Sequence, residues 1–371
     1  MNSSRDAFAT MLKPADIRLD GDRCWDVKVI DERLHRRVLA QGTLGFGDAD
    51  MDGWWECDAI DQLCERAVRA RLDHVSLPSW RRWVSWATAS AFNLQTRRRA
   101  RIVGQRHYDL GNDFFAAMLG PTLQYSCAYY KDSADLDDAQ QAKLELICRK
   151  LDLRPGLHVL DVGCGWGGLA RHIARHHQCS VVGITVSKEQ QAHASRWCEG
   201  LPVEIRVQDY RAVTERFDRV VSVGMMEHVG YKNYRAYMSA AHHALRDGGI
   251  FLCHTIGTPR SVRHSDPWIS RYIFPNSMIP SPAQVTRAAN GLFVLEDVHN
   301  FGLDYDRTLM AWHRNFTAAW PRFAARYGER FFRMWTFYLL SCAGCFRARD
   351  IQLYQFLFAK GGLPGGFHAE R

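Results

Sequence analysis

No apolar run in this chain is long enough to cross a bilayer. The longest, Trp335 to Phe346, spans about a dozen residues between arginines, against the ~20 that a spanning helix needs. Met1 to Asp16 contain neither an apolar core nor a small-residue cleavage site, so no secretory signal is expected and a cytoplasmic protein is. Internal repeats and low-complexity segments are missing, which excludes fibrous and disordered classes. Metal-ligand spacing is scarce too. Cys342 and Cys345 form a lone C-x-x-C, and the adjacent pairs His176, His177 and His242, His243 have no ligand spacing, so no metal is expected. The 11 cysteines are odd in number and scattered, which points to free thiols and away from a disulfide framework.

What the chain does have is ample material for a core. Its 371 residues, 47% of them hydrophobic with 12 Trp, suit two domains or one large domain with an extension. A formal net charge of +8 and a pI near 9.0 fit a nucleic acid, an anionic membrane or an acidic small molecule, and charge alone does not choose among them. The one sharp change of character falls near residues 93 to 106, where Arg97, Arg98, Arg99, Arg101 and Arg106 place five arginines in ten residues. A solvated linker and a contact with phosphates or lipid head groups both fit this run. We therefore expect an N-terminal domain over 1–95, α+β or mainly helical, a basic linker over 96–106 and a catalytic domain over 107–371. Within the first, Cys24 to Ile30 alternates like a strand, and Leu63 to Leu72 and Ser79 to Phe92 are helix-like.

From Gln140 onward helix-like and strand-like segments alternate. A long amphipathic stretch to Leu153 meets Pro155-Gly156; then come five apolar runs, around Val159, Val181, Ile205, Val220 and Phe251, with helical segments between the earlier ones. Strands at intervals of roughly 25 to 30 residues separated by helices predict an α/β fold with a doubly wound, mostly parallel sheet. Ligands of such sheets bind beyond the carboxyl ends of the strands.

The first of these strands runs into a glycine-rich turn, Asp161-Val-Gly163-Cys-Gly165-Trp-Gly167-Gly168. Gly163, Gly165 and Gly168 satisfy the G-x-G-x-x-G of a dinucleotide site. Alternatively, Asp161 with Gly163, Gly165 and Gly167 looks like the first motif of class I methyltransferases, whose glycines admit S-adenosylmethionine; the acid suits its ammonium and sulfonium charges better than a phosphate. Both readings want an acid about 20 residues on, at the end of the second strand. The chain has Gly183-Ile-Thr-Val-Ser187 there, so Gln190 is the candidate for the ribose.

Longer motifs resemble one family over nearly the whole chain, the cyclopropane-fatty-acyl-phospholipid and mycolic acid cyclopropane synthases. They are His107-Tyr-Asp-Leu-Gly-Asn-Asp113, Gln124-Tyr-Ser-Cys-Ala-Tyr-Tyr130, Leu160 to Gly168, Gly224-Met-Met-Glu-His-Val-Gly230, His254-Thr-Ile-Gly257 and Asn300-Phe-Gly-Leu-Asp-Tyr305. The stretches Met51 to Asp58 and Arg347 to Gln352 resemble the bacterial phospholipid-acting branch. The resemblance implies a Rossmann-like, S-adenosylmethionine-dependent enzyme that methylates a cis double bond of a phospholipid acyl chain and closes a cyclopropane ring. It places the cofactor on Tyr125, Ser126, Asp161, Gly163, Gly165, Gly167, Thr185, Gln190, Asp209 and Tyr210. Asp209 and Tyr210 also follow a strand, where an acid accepts from the adenine amino group and an aromatic ring packs on the base.

An alkene carries no proton to remove before attack, so the reaction needs proximity and a dry site more than an activated nucleophile. Ring closure then needs a base. The resemblance implies a bound bicarbonate held by Cys127, Glu227, His254, the backbone of Ile256, and Tyr305, and it nominates Cys342 as a further catalytic residue, although direct transfer gives a thiolate no covalent role. Taken singly, His254 reads as a core histidine, Cys127 as a small buried hydrophobe and Glu227 as a partner of His228; within these motifs the catalytic reading prevails. The implied partners are unsaturated phospholipids at the inner face of the cytoplasmic membrane, where the enzyme is peripheral, and a second copy in a homodimer, with no nucleic acid. A methyltransferase of another lipid, RNA or small metabolite without ring closure is the alternative, and a lipid-binding protein without activity is the reading from outside the enzymes.

Overall fold

The computed structural model of the chain describes residues 3–72, 110–262 and 265–371. The arginine run from Arg97 to Arg106, the helix expected over Ser79 to Phe92 and the start of the motif at His107 lie outside the described residues. Packing divides the chain into two units, one of Met1–Phe92, Arg263–Pro275 and Tyr305–Ile351, the other of Asn93–Val262, Asn276–Asp304 and Gln352–Arg371.

The first unit is mainly helical, with a two-stranded antiparallel ribbon of β1 (Lys28–Val29) and β2 (Trp55–Glu56). Its helix Glu329–Arg347 lies along Ile60–Arg69, because Gly344 carries no side chain where a Cβ would strike the Asp61 carbonyl. Arg347 pairs there with Asp61 at 2.6 Å and Asp306 at 2.8 Å. Phe46 stacks on Trp55 at 4.2 Å, and Phe337 meets both rings edge-on. Residues 305–351 thus bury their apolar faces against the N-terminal helices. The chain-order boundary, which keeps everything after 107 in the catalytic domain, differs from this division, since burial groups segments by apolar complementarity and not by sequence order.

In the second unit the five apolar runs form β3 (His158–Val162), β4 (Ser180–Thr185), β5 (Val203–Val207), β6 (Phe217–Val223) and β7 (Leu245–Gly257). All four pairings among them are parallel. Two further strands, β8 (Val294–Asn300) and β9 (Gln352–Ala359), were not expected; β9 inserts antiparallel between β7 and β8, giving the order β5-β4-β3-β6-β7-β9-β8. Alternate residues feed opposite faces of the sheet. Leu160, Val182, Val220 and Phe251 pack with Tyr237, Met238 and Val285 on one side. Val159, Val181, Val221 and Leu252 pack with Leu144, Ile147, Leu169 and Ile173 on the other. Covering on both faces is what makes these strands continuous apolar runs. β3 lies between β4 and β6, where the strand order reverses, so the glycine turn that leaves it sits at the switch point of the sheet.

Candidate active site

The turn after β3 holds Gly163, Gly165 and Gly167 at φ of 85°, 56° and 85°, values that L side chains rarely adopt. A Cβ on Gly165 would point into open space, so this backbone is bare for a ligand to approach. Asp161, on β3, is buried with its Oδ2 lacking a partner among the described residues, and burial pushes its carboxyl up to about 7 against the pull of Lys143. A buried acceptor without a donor beside bare backbone fits the ammonium or sulfonium of S-adenosylmethionine.

Lys143 was not anticipated. It is fully buried on the helix Leu136–Lys150, whose N-terminus is capped by Asp135 accepting from the amides of Asp137 and Asp138. Its Nζ donates to Gln124 Oε1 at 2.5 Å and to Ser126 Oγ at 3.1 Å, and burial lowers its pKa to about 7. The signal was there in the sequence: Gln140, Lys143 and Lys150 interrupt the apolar stripe of an amphipathic helix, and all three are buried. Tyr125 is held by Phe115, with ring centroids 5.5 Å apart, and Phe115 also touches Trp166 of the glycine turn, whose Nε1 donates to Asn112 Oδ1 at 2.8 Å.

At the end of β4, Thr185 Oγ1 donates to Gln190 Oε1 at 2.8 Å, while Ser187 caps the helix Lys188–Trp197 by accepting from the Gln190 amide. Beyond β5, Asp209 is bound by the guanidinium of Arg211 at 2.6 and 2.7 Å, and Tyr210 stands edge-on to Tyr237 at 5.5 Å. The sequence reading overlooked Arg211, which fixes the Asp209 carboxylate in place.

A second cluster lies towards the carboxyl ends of β6 and β7. Glu227 follows β6 on a short 3-10 turn, is buried, and accepts the Ile256 amide on Oε1 at 2.6 Å. The amide that the resemblance assigns to bicarbonate therefore donates to Glu227 here. The other carboxylate oxygen, Oε2, is buried without a partner among the described residues, and burial pushes this carboxyl up to about 7. His254, on β7, is buried and kept neutral by desolvation, with the nearby Lys143 charge adding to the effect. Gln355 Nε2 lies 3.2 Å from its Nδ1, so the neutral ring carries its proton on Nε2, which has no partner among the described residues. Cys127 is fully buried, and its thiol donates to the Ala128 carbonyl at 3.1 Å. The remaining two candidates belong to the first unit. Tyr305 is buried, stacked on Phe346 at 4.5 Å; Cys342 sits on the helix Glu329–Arg347 with its thiol pushed up to about 12 by burial, the protonation state of a packing residue.

The family profile described as mycolic acid cyclopropane synthetase matches residues 95–356. The chain belongs to that family. It is 52% identical over 351 residues to the cyclopropane-fatty-acyl-phospholipid synthase of Escherichia coli strain K12, covering 95% of this chain and 92% of that one. A cyclopropane synthase structure from Mycobacterium tuberculosis superposes with a TM-score of 0.67 at 31% identity, covering 72% of this chain and 100% of the other. A mycolic acid cyclopropane synthase solved with SAH and CTAB gives 0.66 at 34% identity, over 70% and 98%. This cyclopropane synthetase family member is thus an S-adenosylmethionine-dependent methyltransferase with the class I fold.

Proposed function

We propose that the protein adds a carbon from S-adenosylmethionine across the cis double bond of acyl chains in membrane phospholipids and closes a cyclopropane ring, with bound bicarbonate as the base. The observation that carries the reading is a pair of buried polar atoms without a partner among the described residues, Glu227 Oε2 and His254 Nε2, on elements joined by the bond from the Ile256 amide to Glu227. One is an acceptor and the other a donor, the complement of an oxyanion that carries its own hydroxyl. Relatives named for cyclopropane synthesis on phospholipid acyl chains support the substrate class.

S-adenosylmethionine supplies a methyl group activated on sulfonium. Asp161 and the bare turn at Gly165 hold its charged end, with Tyr125 and the Phe115 and Trp166 rings forming an apolar wall. Lys143 fixes Ser126 and Gln124. Glu227 accepts the hydroxyl of the bicarbonate and His254 Nε2 donates to an oxygen, which aims the remaining oxygen at the proton to be removed. Burial of both side chains keeps water from competing.

Among the described residues no helix is long and apolar enough to cross a membrane. Access to the acyl chain is by peripheral docking at the cytoplasmic face, through apolar and aromatic side chains of the N-terminal domain and the arginines from Arg97 to Arg106, with a homodimer presenting two such surfaces. The test is incubation of the purified protein with S-adenosylmethionine and unsaturated phospholipid vesicles, followed by mass spectrometry of the fatty acids. A gain of one CH₂ with loss of the double bond is expected. Methylation of RNA or a small metabolite with unchanged acyl chains overturns the reading.

A further inference from the structure

On the helix Leu136–Lys150, Glu145 and Cys148 stand one turn apart; on the helix Gly168–His177, His172 and His177 face them. One ligand atom from each of the four lies within 4.8 Å of all the others. Glu145 Oε2 is 3.1 Å from His177 Nε2 and 3.5 Å from His172 Nε2. Nothing in the methyl transfer uses these residues. We infer that Glu145, Cys148, His172 and His177 form a structural metal site for zinc or a similar borderline divalent ion, clamping the two helices together.

The donor set selects the ion. One thiol and two imidazoles suit zinc, and a single carboxylate with no carbonyl cage does not suit calcium or magnesium. Tetrahedral zinc with bonds of about 2.0 to 2.3 Å needs donors roughly 3.3 to 3.8 Å apart. Two of the donor pairs lie at 3.1 and 3.5 Å and every pair within 4.8 Å, so shifts on the order of 1 Å close the site. Charge also balances: one thiolate and one carboxylate neutralise a dication, the Cys148 proton leaving to solvent as the metal binds. Four protein donors leave no open position, which marks a structural and not a catalytic ion.

The two helices share an apolar contact through Leu144, Ile147, Leu169 and Ile173, so the ligands are presented from fixed positions. One helix carries Lys143 and the other begins at the glycine turn. The site therefore ties together the two elements that frame the cofactor. The sequence expectation of no metal dismissed His176 and His177 as an adjacent pair; the partner of His177 is His172, and the other half of the site comes from a different helix.

The test uses the full chain stripped with a chelator. Zinc affinity is read by competition with a chromophoric chelator, stoichiometry by elemental analysis after gel filtration, and thiolate ligation by the charge-transfer absorption of the cobalt-substituted protein. A single equivalent is expected, with a thiolate band and a thermal midpoint that rises on adding zinc. Cys148→Ser and His177→Ala should each weaken binding by at least about 100-fold, and Cys345→Ser should leave it unchanged. His177 closes its helix, partly exposed, so its variant reports even where Cys148→Ser fails to fold. Absence of stoichiometric binding, absence of the thiolate band, or binding that survives both variants overturns the inference.

Discussion

Replacing Glu227 by Gln separates the chemistry of its carboxylate from its place in the fold. The amide oxygen of Gln still accepts the Ile256 N–H, now 2.6 Å from Oε1, so the link to β7 persists. The charge is what disappears. Folding raises this carboxyl from an ordinary 4.5 to about 7. Between those values the folded state binds more protons than the unfolded chain, so wild-type stability falls as pH rises through that window, by about 3 kcal/mol in all. The loss is complete above about pH 7 and absent below about pH 4.5. Gln does not titrate, yet it buries an NH₂ that finds no acceptor, at about 1 to 3 kcal/mol. Urea unfolding at a series of pH values should therefore find the variant less stable than wild type near pH 5, with the gap closing or reversing by pH 8. Turnover should fall by about 10² to 10⁴, while affinity for S-adenosylmethionine by calorimetry stays within about twofold, because the cofactor turn belongs to β3. A stability gap that is the same at every pH, or lost cofactor binding, refutes the reasoning.

Gly165→Val puts a branched side chain at φ 56° into the space where a ligand meets bare backbone. It should abolish detectable S-adenosylmethionine binding in a calorimetric titration and lower stability by about 1 to 2 kcal/mol; normal binding moves the cofactor elsewhere. Lys143→Met removes the donor to Gln124 and Ser126 and leaves Asp161 without its neighbouring cation. A destabilisation of about 2 to 4 kcal/mol in urea unfolding and weaker cofactor binding are expected, and a variant as stable as wild type denies Lys143 a structural role. Depleting dissolved carbonate should slow the wild-type enzyme and added bicarbonate should restore it, whereas indifference to carbonate points to a protein base. Changing Arg97, Arg98, Arg99 and Arg101 together to Ser should weaken sedimentation with anionic vesicles and flatten its salt dependence; unchanged sedimentation makes the run a solvated linker.

Much of this protein was legible in its sequence, and for local reasons. The five parallel strands are continuous apolar runs because helices cover both faces, and the turn after β3 shows itself through glycines that only a bare, left-handed backbone requires. Motif residues such as Glu227 and His254 stood out by kind and neighbourhood, and both prove to be buried with an atom that has no partner among the described residues. Other features depend on which distant segments meet, and no local pattern encodes that. β8 is an edge strand with Val294, Leu295 and Val298 exposed, so it lacks a buried run, and β9 follows it by a long helical excursion before inserting beside β7. The packing of residues 305–351 with the N-terminal helices, the hold of Arg211 on Asp209 and of Lys143 on Ser126, and the capture of the Ile256 amide by Glu227 are likewise pairings across the fold. The convergence of Glu145 and Cys148 with His172 and His177 is of the same kind: spacing along the chain records one helix at a time, and only packing two helices on one apolar face brings four donors to a point.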